Sequence, residues 1–280
     1  MDGARRRASI PMTRVLSGAV LVAVVVSAIW FLGPMPLLVL TEAVLVLAVH
    51  EYGRLARGLQ LRIPTVAAGA AAMLTCAAVA VPGAPLDAVL VAALVALGTL
   101  SLAEPPGPAA LGEVSAALFA SIYLGLSLGA LVAIRSLAGR DALLLLLATV
   151  VVSDTSQYYS GRLFGRRRLA PAISPGKTVE GAIGGFVGGV ACMVALGRWG
   201  LPGVPAAPRA LLGVALVALG IAGDLFESRL KRGAGLKDSS ALIPGHGGVL
   251  DRIDALLFAA PAYYLFVRYG LGFWRGAGPG

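Results

Sequence analysis

The sequence predicts an all-α fold, a polytopic membrane helical bundle with about nine transmembrane helices. Three observations carry this. The chain is 58% hydrophobic and only 13% charged, whereas a soluble domain carries charge on about a quarter of its residues. Apolar runs near the length of a membrane span recur from one end to the other. The cations gather between alternate runs, which is how membrane topology distributes them. Length is therefore counted in spans, not in globular domains.

A helix needs roughly 20 predominantly apolar residues to cross a bilayer. The first run, about 15–32, follows Arg5-Arg6-Arg7. Its length, and the eight runs behind it, argue against a cleaved secretory leader. The second covers about 35–50, and the third and fourth, 65–81 and 88–103, are short and Ala-rich. The fifth is about 114–134, and the sixth, 142–160, holds Asp154 deep within it. The seventh, 178–196, opens on Thr178 as a helix cap. Its Gly181, Gly185 and Gly189 form a small-residue stripe suited to close helix packing. The eighth and ninth cover about 210–226 and 253–272. Trp30, Phe31, Phe273 and Trp274 near span ends are interfacial anchors. Cys76 and Cys192 fall in apolar stretches and read as packing residues rather than a disulfide or zinc site. Residues 1–140 thus form an N-terminal set of about five spans, and 141–280 a C-terminal membrane region that carries the polar motifs.

The net charge of +9 fits anionic lipid, anionic substrate and topology better than nucleic acid, because the cations flank apolar segments. With nine spans, one side collects Arg5, Arg6, Arg7, Arg14, Arg54, Arg57, Arg62, Arg162, Arg166, Arg167, Arg168, Lys177, Arg229, Lys231, Arg232, Lys237 and Arg252, which is 17 of the 23 cations. The other side keeps Arg135, Arg140, Arg198, Arg209, Arg268 and Arg275. The positive-inside rule then places the N-terminus and both motif-rich loops in the cytoplasm, and the chain in the cytoplasmic membrane.

Most of the chemistry lies between Ser228 and Asp254, where five cations, three carboxylates and His246 fall within 27 residues. If the eighth helix continues, Asp224, Glu227, Ser228 and Lys231 share one stripe, being three, four and seven apart. Asp251 and Asp254 are three apart at the mouth of the last span. A carboxylate beside a span is expensive unless it meets a cation, a metal or water. Salt bridges with neighbours such as Arg252 are one answer. A divalent cation is the other, since Mg²⁺ is held by one or two carboxylates together with substrate phosphates. Lys231, Arg232 and Lys237 sit in a loop interrupted by Gly233 and Gly235, where backbone and cation can both approach phosphate.

A second block runs from Ser153 through Asp154, Gln157 and Gly161 to Ser174-Pro-Gly-Lys177-Thr178-Val-Glu180-Gly181. A charge as deep as Asp154 marks a functional position. Helix N-termini attract anions, which makes Ser174, Lys177 and Thr178 candidates for a phosphate. A capped helix with a snorkelling lysine is the alternative reading.

Together these blocks resemble the integral-membrane phosphatidate cytidylyltransferases. The likeness rests on Ser228, Lys231-Arg232, Lys237-Asp238, His246-Gly-Gly and Asp251-Arg-Ile-Asp254, and on the Ser174-Pro-Gly-Lys-Thr-Val-Glu-Gly181 stretch. It is strong over about 150–256 and elsewhere rests on hydropathy; His50-Glu51-Tyr52 is similar to the family's Glu-Tyr in that region, over two residues only. The resemblance implies transfer of a cytidylyl group from CTP to phosphatidic acid, giving CDP-diacylglycerol and pyrophosphate. It implies Mg²⁺ on Asp224 and Asp251, with Asp254 in support, and leaves a second cation open. It makes Asp224, Lys231, Arg232, Lys237, Asp251 and Asp254 catalytic. It assigns Asp154, Ser174, Lys177, Thr178, Ser228 and His246 to substrate phosphates or nucleotide. It also implies a homodimer, with no interface legible in the sequence. Two other readings stay open: a CTP-dependent polyprenol or phytol kinase, and, from another class, an ion-coupled transporter with Asp154 and Asp224 on its path. The Asp-Gly-x-x-Ala-Arg motif of CDP-alcohol phosphotransferases is absent.

Overall fold

A computed structural model describes residues 18–105, 107–243 and 247–272. Among these residues nine α-helices follow one another: α1 (Gly18–Phe31), α2 (Pro34–Gly58), α3 (Thr65–Ala80), α4 (Leu86–Leu100), α5 (Ala110–Ala120), α6 (Ser127–Phe164), α7 (Val179–Gly200), α8 (Ala206–Gly233) and α9 (Leu250–Leu265). Over the described residues each predicted apolar run falls largely on helix; residues 15–17 of the first lie outside them. Five helical stretches are long and apolar enough to cross a membrane: Pro34–Gly58, Leu86–Ala103, Ala110–Phe164 (broken at Gly139), Val179–Gly200 and Ala206–Gly233. Gly18–Phe31 and Thr65–Ala80 are shorter apolar helices. The fifth predicted run takes in most of α5, a π-helical turn at Ser121–Leu126 and the first part of α6; it is divided from the sixth by a break within α6 at Gly139 (φ 87°, ψ 178°).

The helix starts have local causes. Pro34 and Pro36 sit in the first turn of α2, and Pro208 in that of α8, where a missing N–H costs nothing. Thr178 caps α7 as expected, its Oγ1 accepting from Gly181 N at 3.1 Å.

The surface is inverted relative to a soluble protein. Phe31, Val66, Leu102 and Leu111 are each more than three-quarters exposed, on apolar helices that a bilayer would cover. The interior is built from α2, α3, α6, α8 and α9, with Leu45, Leu55, Leu146, Leu216 and Tyr263 fully buried. Lipid tails are as apolar as these side chains, so close packing rather than water exclusion holds helices together. The predicted stripe on α7 serves this end: Gly181, Gly185 and Gly189 are buried, with Gln157 and Ser153 of α6 and Val217 of α8 against them.

One departure from an all-helical chain bears on function. Between α6 and α7 an antiparallel hairpin forms, β1 (Arg168–Ala170) with β2 (Ser174–Thr178), pairing Arg168 with Thr178 and Ala170 with Ser174. Glu180, one residue into α7, clasps its base by accepting from Arg166 N at 3.0 Å and Arg167 N at 3.2 Å. From α8, Arg232 Nε donates to Ile173 O at 3.4 Å and steadies the tip.

Candidate active site

The hairpin, the second half of α6, the last turns of α8 and the first turn of α9 enclose a cavity of about 730 Å³. α6 contributes Asp154, Gln157, Tyr158 and Arg162; the hairpin contributes Ser174, Gly176 and Lys177. α8 adds Asp224 and Lys231, and the following segment Asp238, Asp251, Arg252 and Asp254. Five aspartates and four cations thus face one volume beside apolar helices.

The stripe expected on α8 is present, since the helix runs on to Gly233. Ser228 Oγ donates to Asp224 Oδ1 at 3.3 Å, and the other oxygen of Asp224 meets Lys177 Nζ at 2.5 Å. One turn on, Lys231 pairs with the fully buried Glu227 on its own helix and with Asp251 Oδ1 at 2.5 Å. Two lysines therefore sit in carboxylate cradles on the cavity wall, each with an ammonium that a phosphate oxygen can also receive.

The aspartates divide into two kinds. Asp251 Oδ1 meets Lys231 Nζ, and Oδ2 accepts from Ser239 N at 2.9 Å and Gly248 N at 2.8 Å and shares the single proton of Ser239 Oγ, 2.8 Å away, with Glu51. Oδ2 is thus crowded with donors, whereas Oδ1 has the lysine alone. Asp154 accepts from Gln157 Nε2 at 3.1 Å, and Asp254 from Ala255 N at 2.7 Å, so each keeps lone pairs toward the cavity. Asp224, with two donors, does so as well. Among the described residues no group of three or more acidic, His or Cys side chains forms a closed metal cage. The donor set instead suits a hard cation bound jointly with phosphate, on Asp224 flanked by Asp154 and Asp254. Asp251, the other residue expected to hold the cation, lines the same cavity, with Lys231 Nζ on Oδ1 and its remaining contacts on Oδ2.

Of the other residues singled out, Asp154, Ser174, Lys177, Thr178, Asp224, Lys231, Asp251 and Asp254 all line the cavity. Arg232 and Lys237 do not. Both are exposed, and Arg232 is spent on the carbonyls of Ile173 and Leu236. Ser228 lies behind Asp224, and His246 is outside the described residues. Two amides at the start of α7 are engaged within the protein: Val179 N bonds Arg167 O at 2.9 Å and Gly181 N bonds Thr178 Oγ1. Lys177 is the cation that this wall turns to the cavity.

Glu51 was missed. It lies at the C-terminal end of α2 and is 2% exposed. Oε2 accepts from Ser239 Oγ at 2.9 Å and Leu250 N at 2.7 Å; Oε1 accepts from Ser240 Oγ at 2.6 Å and Val249 N at 3.0 Å. The Gly247-Gly248 pair makes room for it. Gly247 has φ 80°, and a Cβ on Gly248 would come within 2.5 Å of both Glu51 oxygens. The sequence signals were a carboxylate at the end of an apolar run and the two-residue likeness of Glu51-Tyr52 to the family's Glu-Tyr.

The fold and site together define a polytopic membrane protein with a phosphate-suited cavity among its helix ends. The cytidylyltransferase family profile matches residues 12–270, and the chain belongs to that family. It is 44% identical over 144 residues to a phosphatidate cytidylyltransferase of Haemophilus influenzae, covering 48% of each chain. It is 46% identical over 123 residues to one of Pseudomonas aeruginosa, covering 42% of this chain and 45% of that protein. An uncharacterized protein of Escherichia coli, YnbB, is 41% identical over 131 residues, 47% of this chain and 44% of that one. The matches span about half the length of these curated relatives.

Proposed function

We propose that this chain transfers the cytidylyl group of CTP to phosphatidic acid, giving CDP-diacylglycerol and pyrophosphate. The observation that carries it is the cavity at the helix ends, with Lys177 and Lys231 each held ready by carboxylates. A phosphate oxygen of the lipid attacks the α-phosphorus of CTP. A new P–O bond forms in line as the bond to the β-phosphate oxygen breaks, and pyrophosphate leaves with that electron pair. The nucleophile is already anionic near neutral pH, so no general base is needed. What the protein must do is bring two anions together and stabilise the leaving charge. Lys177 from the hairpin and Lys231 from α8 do this, and Arg162 and Arg252 add positive potential. Asp224, with Asp154 and Asp254 beside it, would hold Mg²⁺, which when bound neutralises phosphate charge. The 17-to-6 division of cations, and the need for CTP, support a cavity mouth that faces the cytoplasm from the cell membrane. Family membership does not favour the kinase or transporter readings.

The deciding experiment is an assay of purified protein in detergent micelles with labelled CTP and phosphatidic acid, with and without Mg²⁺. Label recovered in lipid-linked cytidine, dependent on Mg²⁺, is the expected result. Free CDP with a phosphorylated lipid would mean a kinase, and no nucleotide-dependent lipid product would remove the enzyme reading.

A further inference from the structure

We propose that Glu51 is a positioning residue: from α2 it fixes the first turn of α9, and through it the Asp251–Lys231 pair on the cavity wall. α9 has no side-chain cap of its own, its N-cap residue being Val249. Its free N–H groups at Val249 and Leu250 point instead at the Glu51 carboxylate, which reaches them from a helix 198 residues earlier. A carboxylate there both satisfies orphan donors and meets the positive end of the helix dipole. Ser239 and Ser240 bond the same carboxylate, so both ends of the segment 239–250 are tied to one point on α2.

Ser239 also carries the link onward. Its Oγ lies 2.9 Å from Glu51 Oε2 and 2.8 Å from Asp251 Oδ2, and its amide donates to Asp251. Asp251 in turn holds Lys231. Glu51 does not line the cavity, so its influence passes through these neighbours and not through substrate. Among the described residues no lysine or arginine pairs with it; Ser240 Oγ, Val249 N and Leu250 N, together with the Ser239 hydroxyl it shares with Asp251, stabilise its buried charge. Helix α2 therefore sets where the α9 wall of the cavity stands.

The positioning role rests on the cytidylyl-transfer reading, whereas the anchoring itself does not. Both are tested with Glu51→Gln in the full-length protein in detergent micelles. An amide nitrogen cannot accept from the donors now facing that oxygen, and the segment should loosen. The kcat for cytidylyl transfer should fall at least about tenfold while KM for CTP stays within about threefold, because Lys177 and the hairpin keep their places. Amide hydrogen exchange should quicken about tenfold or more across 247–251 and stay at wild-type rates in α7. Unchanged kcat, a loss confined to KM, or unchanged exchange in that segment overturns the proposal. If Glu51→Gln does not fold, Ser240→Ala removes a single donor at the half-buried edge. It should cut kcat about threefold and quicken the same amides; wild-type behaviour in both measurements refutes the role. Should the wild-type protein transfer no cytidylyl group, the exchange data still decide the anchoring, and only the reaction assignment falls.

Discussion

Lys177 and Arg166 bear the same charge within one short segment, yet only Lys177 faces the cavity, where it meets Asp224. Arg166 is exposed and is engaged through its backbone N–H on Glu180. Lys177→Met should therefore cut turnover by about a hundredfold or more, the roughly 2.7 kcal/mol scale of deleting one preorganised donor to developing charge. Arg166→Met should stay within about threefold. Equal small effects from the two, measured with saturating CTP, would return Lys177 to the role of a snorkelling lysine. Asp224→Asn should leave less than about a tenth of wild-type turnover, a barrier increase above ~1.4 kcal/mol, with expression unchanged. Its activity should not recover at higher Mg²⁺. Asp251→Asn should lose as much by another route: it drops the partner of Lys231 and loosens Ser239 and Gly248. Faster amide exchange at those two residues, absent in Asp224→Asn, would separate the routes.

At the scale of elements, the hairpin and the α9 entry are the parts that shape the cavity. Glu180→Ala removes the clasp on the Arg166 and Arg167 amides. Hydrogen exchange across 166–170 should rise and activity should fall with it, since β2 carries Ser174 and Lys177. Normal exchange with lost activity would instead give Glu180 a direct part in the chemistry. Gly248→Ala drives a methyl group against Ser239 Oγ and the Glu51 carboxylate. It should lower both thermal stability and activity, which a melting curve and the cytidylyl-transfer assay would show. These elements differ in how well the sequence announced them. The α8 stripe and the Thr178 cap follow from spacing within one helix, so Asp224, Ser228 and Lys231 could be aligned in advance. The strand Ser174–Thr178 contains Pro175 and Gly176, residues with poor strand propensity, and its pairing comes from the clasp and not from its own pattern. Glu51 was out of reach for a different reason: its first partner is 188 residues away, and local periodicity carries no record of such a contact.

For the whole molecule, the orientation can be checked with single cysteines in a background lacking Cys76 and Cys192, both unpaired thiols. Ser239 is fully buried and would report packing rather than sidedness, so the exposed Lys237 is the better site, with the exposed Pro205 opposite. An impermeant thiol reagent on intact cells should label Pro205→Cys at once and Lys237→Cys only after permeabilisation. The reverse pattern would put the cavity mouth away from its nucleotide.

The tie between α2 and the segment before α9 also has a consequence for biogenesis. Helices enter the membrane in the order of synthesis, so Glu51 is in place long before residues 239–250 leave the ribosome. Until then its carboxylate lacks the donors of that segment and needs water in their place, which keeps the surrounding helices from closing. Assembly of this side of the bundle is thereby deferred until α9 has been made. A nascent chain stalled after α8 should remain open to protease near Glu51, and the arrival of α9 should close it in one step.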